Sequence, residues 1–232
     1  MRTLFAAVII AAMAAPVAAM GPVTYDAFTS FNGTNGAGGF TYGVLDDSTQ
    51  ALTFTPFTDA AGCAARISGT ICTSNGDLPG AFKSTTGAHQ SGTVIVPGNA
   101  LILHPGANAG QASAVVFTAP TSGKYKFAFN AFVADTNPSG VDLVSFSPGF
   151  FTTPVGSLSA ANPSFSGTQT SFVPAGLQIG LAVDYAGVYF NDSTGVNFTV
   201  TQVPEPAAWT LMIAGFAMVG FAARRRGAAL AA

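Results

Sequence analysis

A chain of 232 residues is long enough for one domain with a full hydrophobic core, and 20 Phe in a 49% hydrophobic composition exclude a disordered chain. Charge is sparse: 8% of residues are Asp, Glu, Lys or Arg, and the formal net charge is −2. That balance excludes a nucleic-acid partner, which would need a basic surface to neutralise phosphates.

The first segment reads as a secretory leader. Met1 and Arg2 are its positive start, Leu4 to Ala15 its apolar core, and Val17-Ala18-Ala19 a small-residue cleavage site with cutting after Ala19. A first transmembrane helix would need a longer apolar core. Residues 20–203 then form one domain. Its acids are Asp26, Asp46, Asp47, Asp59, Asp77, Asp135, Asp142, Asp184 and Asp192, set against Arg66, Lys83, Lys124 and Lys126. With so few charges, its surface polarity comes from hydroxyls and amides.

Along this domain the dominant period is two, the signature of strands with one buried face. Candidate strands lie around Phe40 to Leu45 and Ala51 to Phe54. Cys63 and Cys72 follow in a segment rich in Gly, Ser and Thr that reads as loop, and in an oxidising compartment they close a small disulfide. The alternative, a metal or redox pair, lacks further ligands and a C-x-x-C spacing. Further strands are expected at Thr93 to Val96, Leu101 to His104, Ser113 to Ala119 and Val141 to Phe146. The alternation is clearest in Tyr125, Phe127, Phe129 and Val133, in Leu177, Ile179, Leu181, Val183 and Tyr185, and in Val196, Phe198 and Val200. Turn signals such as Pro97-Gly98-Asn99, Pro120-Thr121-Ser122-Gly123 and Pro138-Ser139-Gly140 separate them. The expected fold is all-β, a two-sheet antiparallel sandwich of jelly-roll type.

The last segment is of another kind. Pro204-Glu205-Pro206 leads into an uncharged run over 207–223, which ends on Arg224-Arg225-Arg226. As a helix that run measures about 26 Å, close to the thickness of a bilayer core, and the arginines would hold its C-terminus in the cytoplasm. The reading is a membrane-anchored precursor whose bulk lies outside; on physics alone, an ordinary C-terminal anchor fits equally. Pro206 suits a first helical turn, and Trp209 an outer interface.

The string formed by Pro204, Glu205, Pro206, Trp209, Met212, Ile213, Gly215 and Phe216, followed by Arg224 to Arg226, closely resembles the PEP-CTERM sorting signal of Gram-negative bacteria. The resemblance implies an exosortase as partner, a membrane thiol peptidase that cuts near the PEP motif and releases or transfers the exported protein. It implies an outer-surface or extracellular-matrix location and makes Pro204, Glu205 and Pro206 recognition residues. The same tail also carries the label "ice-binding protein C-terminal", which says nothing about its chemistry. A second resemblance runs over about residues 25–201. Leu103-His104-Pro105-Gly106, Val116-Phe117-Thr118-Ala119-Pro120, Gly123-Lys124-Tyr125 and the stretch from Val183-Asp184-Tyr185 to Gly195 are similar to a jelly-roll-like ectodomain common among PEP-CTERM proteins. The pattern departs after Asp135, where Ser147-Pro148-Gly149 replaces an Asn-Gly hairpin.

No catalytic constellation stands out, so the chain reads as non-enzymatic. The one Glu is Glu205, no G-x-S-x-G elbow occurs, and His89 and His104 are the only histidines. His104, inside its L-H-P-G turn, reads as a turn stabiliser. A glycan-binding loop is the alternative to a purely structural role in exopolysaccharide. Tyr189 would stack on a sugar while Asp184, Asn191 and Asp192 accept its hydroxyl protons, against the plainer reading of these residues as core and turn. No metal or cofactor is assigned, though Asp135, Asn137 and Asp142 share a turn-rich loop whose oxygens would suit a structural calcium. An ice-binding face would need regular Thr ranks, and the sequence has no such repeat.

Overall fold

The computed structural model describes residues 21–48, 52–58, 63, 65–204 and 213–220. The leader with Ala19, the tail residues Glu205, Pro206, Trp209 and Met212, and Arg224 to Arg226 lie outside the described residues. Within the predicted spanning segment, residues 213–220 are helical, with Ile213 and Phe216 exposed. Among the described residues no helix is long and apolar enough to cross a membrane.

Among the described residues, fifteen strands carry the domain. The first seven are β1 (Val23–Asp26), β2 (Phe40–Asp46), β3 (Thr53–Pro56), β4 (Thr70–Ser74), β5 (Gly80–Ser84), β6 (His89–Ser91) and β7 (Val94–Val96). The remaining eight are β8 (Leu101–His104), β9 (Ala112–Thr118), β10 (Gly123–Val133), β11 (Val141–Ser147), β12 (Phe151–Leu158), β13 (Ser164–Val173), β14 (Gln178–Tyr185) and β15 (Thr194–Val203). A one-turn helix, Ala27–Ser30, follows β1; Asp26 caps it, its Oδ1 accepting the Thr29 N–H at 2.7 Å.

Thirteen of these strands form two antiparallel sheets, and β6 and β7 pair only with each other as a separate hairpin. One runs β13-β10-β15-β8-β5-β4, with β1 also paired to β15; the other runs β12-β11-β14-β9-β2-β3. The last eight strands pair first with last: β8 with β15, β9 with β14, β10 with β13 and β11 with β12. That nesting is a jelly roll, because a long double-stranded ribbon folded over itself deals its strands alternately to the two sheets. The strands β2 to β5 widen the sandwich, β4-β5 extending the first sheet beside β8 and β2-β3 the second beside β9. The chain enters at β1 and leaves at β15 side by side, Val23 opposite Gln202.

The inner faces meet in a core of large apolar side chains. Tyr125 and Phe127 of β10, Val196, Phe198 and Val200 of β15, Leu181 and Val183 of β14, and Phe40 and Tyr42 of β2 are all buried there. Tyr42 also donates its hydroxyl to the Ala27 carbonyl at 2.7 Å, which gives this buried phenol a partner. The alternation read from sequence is real for β10, whose Lys124 and Lys126 are exposed while Tyr125 is buried. In β14 it is incomplete, because Gly180 and Ala182 on the opposite face are buried as well.

A separate cluster of Cys63, Ile67, Cys72, Phe82, Val96 and Ile102 lies beside β4 and β5. Cys63 and Cys72 are disulfide-bonded within it, with Cα atoms 6.1 Å apart. The expectation of loop for this segment is corrected by β4, in which Cys72 pairs with Phe82. The correction has a physical cause: β4 lies at the edge of its sheet, and its polar threonines and serine hide the pleat.

Candidate functional site

Beyond the end of the β10–β15 ladder the two strands diverge into loops that carry polar residues. The register pairs Val133 with Thr194, and the Ala134 N–H donates to the Ser193 carbonyl at 2.8 Å. Just past it come Asp135 and Asp192, near enough for the charge of Asp135 to act on the Asp192 carboxyl. The β6–β7 hairpin closes over Asp135, with the Ile95 N–H donating to Ala134 O at 2.9 Å and the Thr136 N–H to Thr93 O at 3.0 Å. The Cys63–Cys72 loop supplies the opposite wall through Arg66 and Ile67.

Together these elements bound a cleft of about 240 Å³ lined by Arg66, Thr93, His104, Asp135, Asn191 and Ser193. Asp135 and Asp192 are 5% and 2% exposed. Burial, reinforced by the charge of Asp135 and opposed by the Ser139 hydroxyl and the Gly140 N–H, pushes the Asp192 carboxyl up to about 6. Arg66 Nη1 is held 3.3 Å from Asp77 Oδ2 at the surface. His104 donates from Nδ1 to the Pro105 carbonyl at 2.8 Å, a bond that fixes its tautomer since a carbonyl only accepts. Burial lowers its pKa, so it stands in the wall as a neutral imidazole.

The four residues proposed from sequence as a sugar site do not gather. Asp184 lies on β14 across from Asp142 of β11, where burial and then the charges of Asp47 and Asp142 raise its pKa, against the Tyr185 N–H. Tyr189 packs on Phe190 with ring centroids 4.2 Å apart, while Asp192 is turned inward. Asn191 bridges loop and cleft at φ 61°, a left-handed conformation that Asn tolerates better than most residues. The three residues weighed for calcium separate too: Asp135 is buried, whereas Asn137 and Asp142 are exposed.

A second feature had no signal in the linear sequence. On the outer face of the first sheet, Asn130, Ser166, Thr168, Asn197 and Thr199 surround Ala128 in a shallow depression of about 360 Å³. The cross-strand registers Ser166-Asn130-Asn197 and Thr168-Ala128-Thr199 bring them together. Thr170, Thr201 and Thr24 form the next row, but Lys126 stands between the first two. The threonine ranks of an ice-binding face are therefore interrupted on β10.

No curated protein matches the chain. Among solved structures it is similar to the CBM51-2 domain in complex with GlcNAc and INT domains from Clostridium perfringens ZmpB, at 14% identity and a TM-score of 0.32. That match covers 44% of this chain and spans 22% of the length of the ZmpB chain. It is also similar to the K2 cleaved adhesin domain of Lys-gingipain (10% identity, TM-score 0.35, 79% of this chain and 98% of that one). A family 35 carbohydrate binding module from Clostridium thermocellum gives 12% identity and a TM-score of 0.30, covering 78% of this chain and 98% of that one. At these scores the likeness assigns neither ligand nor function.

The tail is more specific. Residues 202–226 match the PEP-CTERM protein-sorting motif, which begins on the last two residues of β15. The motif implies processing by an exosortase and indicates an exported, membrane-processed protein.

Proposed function

We propose that the chain is a non-enzymatic surface or extracellular-matrix protein of a Gram-negative envelope: a jelly roll exported by its leader and held by its tail. An exosortase then cuts near Pro204 to Pro206 and leaves the protein in or beside exopolysaccharide. The observation that carries this reading is the junction of β15 and the sorting motif. The last strand ends at Val203 and the motif's Pro204 follows at once, so cutting there removes the tail and spares the ladder. The pairing of Val23 with Gln202 brings both ends of the domain to one edge, leaving the sheet faces free for display.

A non-catalytic role is supported by the state of the candidate acids and bases. His104 is buried and bonded to Pro105 O, and His89 has both ring nitrogens on carbonyls, Gly87 O at 2.9 Å and Ser68 O at 2.8 Å. Asp135 and Asp192 are too enclosed to flank a glycosidic bond, and the cleft that Asp135 lines is smaller than ordinary substrate pockets.

The test is the intact mass of the secreted protein from hosts with and without a functional exosortase. A mature form ending near Pro204 to Pro206, seen only with the enzyme and lost when all three residues become alanine, is the expected result. Unchanged release of the alanine variant into the medium would overturn the sorting role.

A glycan-binding role is the second reading, favoured by the Asn130–Asn197 depression, whose adjacent amides and hydroxyls match the donors and acceptors of a sugar face. A glycan array separates the two. Binding that disappears in the Asn130→Ala/Asn197→Ala double variant establishes a lectin-like module on that sheet; binding lost only with Tyr189→Ala moves the site to the β14–β15 loop. No binding together with carbohydrate-independent matrix retention favours the structural role.

A further inference from the structure

The loops at the end of the β10–β15 ladder hold more oxygen lone pairs than protons to satisfy them. Asp135 Oδ1, Asp192 Oδ2 and Ser193 Oγ are buried side-chain atoms with no hydrogen-bond partner. Their residues are 5%, 2% and 2% exposed, so bulk solvent does not reach these atoms. Two buried carboxylates near enough for the charge of Asp135 to act on Asp192, each with a bare oxygen, form an arrangement that folding penalises heavily unless a cation completes it.

The neighbouring groups are oxygens as well. Thr93 Oγ1 lies 3.3 Å from Asp135 Oδ2 and 3.4 Å from Asn191 Oδ1. On the far side of Asp192, the Ser139 hydroxyl sits against Asp192 Oδ1, 2.5 Å from the Phe190 carbonyl and 3.2 Å from the Val188 carbonyl. One hydroxyl proton serves one of these three acceptors, and the other two are left facing an oxygen. The basic side chains that line the cleft do not fill the gap: Arg66 is drawn out to Asp77, and His104 Nδ1 is spent on the Pro105 carbonyl.

We propose that this cluster is a calcium site. Asp135 and Asp192 supply the negative charge, and the neutral oxygens of Thr93, Asn191, Ser193 and the adjacent loop carbonyls complete the shell. Hard oxygen donors on loops suit Ca²⁺, which accepts irregular shells of six to eight ligands; Mg²⁺ demands a regular octahedron and Zn²⁺ prefers nitrogen and sulfur. Among the described residues no three His, Cys, Asp or Glu side chains gather at one point. With two charges only, the affinity falls at the weak end, about 10⁻⁴ to 10⁻³ M, the range of extracellular calcium modules. The ion would tie together the β6–β7 hairpin, the turn after β10 and the loop before β15, three segments otherwise joined by a few backbone bonds. It differs from the Asp135, Asn137 and Asp142 set weighed from sequence, sharing only Asp135.

The experiment is a thermal melt and a calorimetric Ca²⁺ titration of the full chain in detergent, stripped with EGTA. Saturating Ca²⁺, about a hundredfold above its dissociation constant, should raise the Tm by about 5–10 °C, and equal Mg²⁺ by much less. Asp192→Asn should abolish the calcium shift yet melt higher than the parent in EGTA, because it removes an uncompensated charge; Asp142→Asn should keep the parent's calcium shift. If Asp192→Asn fails to fold, Asp135→Asn is read in its place, and the parent titration alone still decides. No heat and no Tm shift in the parent overturns the site. So does a calcium shift that survives in Asp192→Asn, or destabilisation by Arg66→Ala in a parent that ignores calcium, which would make Arg66 the counter-ion.

Discussion

The two outer faces of the sandwich are built on opposite principles. On the first sheet, β10, β13 and β15 present Lys, Asn, Ser and Thr around Ala128, and the face is wet. On the second, Leu45, Ala112, Ala114, Val116, Val144, Phe146 and Ala182 form a buried apolar cluster on the side away from the main core. Small residues make its floor and rings lie over it. A Cβ on Gly180 would come within 2.6 Å of the Phe146 ring, and one on Gly43 within 2.8 Å of the Phe54 ring, while the two rings lie 6.0 Å apart. Glycine in these strands is the space an aromatic ring occupies. One face is therefore a second layer of core and the other a surface free to meet polar partners.

That contrast predicts unequal costs for matched truncations. Phe146→Ala removes a fully buried ring from the second sheet's apolar face and should cost about 3–5 kcal/mol in a urea melt. Next comes the disulfide, which belongs to neither face: replacing Cys63 and Cys72 by Ser should cost about 2–3 kcal/mol in the oxidised protein and leave both faces intact. An unaltered melt, or free thiols in secreted protein, would remove the bond from the account. Gly180→Ala, whose methyl would also lie 2.8 Å from the Val115 carbonyl, should cost about 1–3 kcal/mol by overpacking. Asn130→Ala on the wet face should stay within about 0.5 kcal/mol. Equal losses for Phe146→Ala and Asn130→Ala would end the distinction between the faces.

The same contrast explains what the sequence could reveal. Strands β8, β9, β10, β14 and β15 are legible because large apolar residues recur on the face they bury. Strand β13 is not: its inward positions are Phe165, Gly167, Gln169 and Ser171, too polar to display a period, and its ten-residue pairing with β10 is what makes it a strand. Strand β12 at an edge of the second sheet, TTP-rich and largely exposed, is hidden for the same reason. Edge strands bury little, so pattern fades where packing fades. The candidate sites were less legible still. Asp135 and Asp192 meet only through the β10–β15 register, and the Asn130–Asn197 depression through three strands distant in the chain. The sorting motif is the exception, since it is read as a contiguous string and owes nothing to the fold.

The smallest effect probes the acidic rim of the apolar face. Burial, then the like charges of Asp47 and Asp142, raise the pKa of Asp184 above its ordinary value, opposed by the Tyr185 N–H at 2.9 Å. A carboxyl whose folded pKa is raised contributes stability below its unfolded pKa and loses it as pH climbs through the folded value, so at neutral pH the ionised Asp184 is a cost. Asp184→Asn keeps an oxygen for the Tyr185 N–H and drops the charge. It should melt slightly above the parent at pH 7, by no more than about 0.5 kcal/mol, with the gap closing as pH falls below about 4. Salt divides the cause: screening removes the part due to Asp47 and Asp142 and leaves the part due to burial. A gap that persists undiminished in high salt assigns the cost to the apolar surroundings of β14, and a gap that vanishes assigns it to the neighbouring charges.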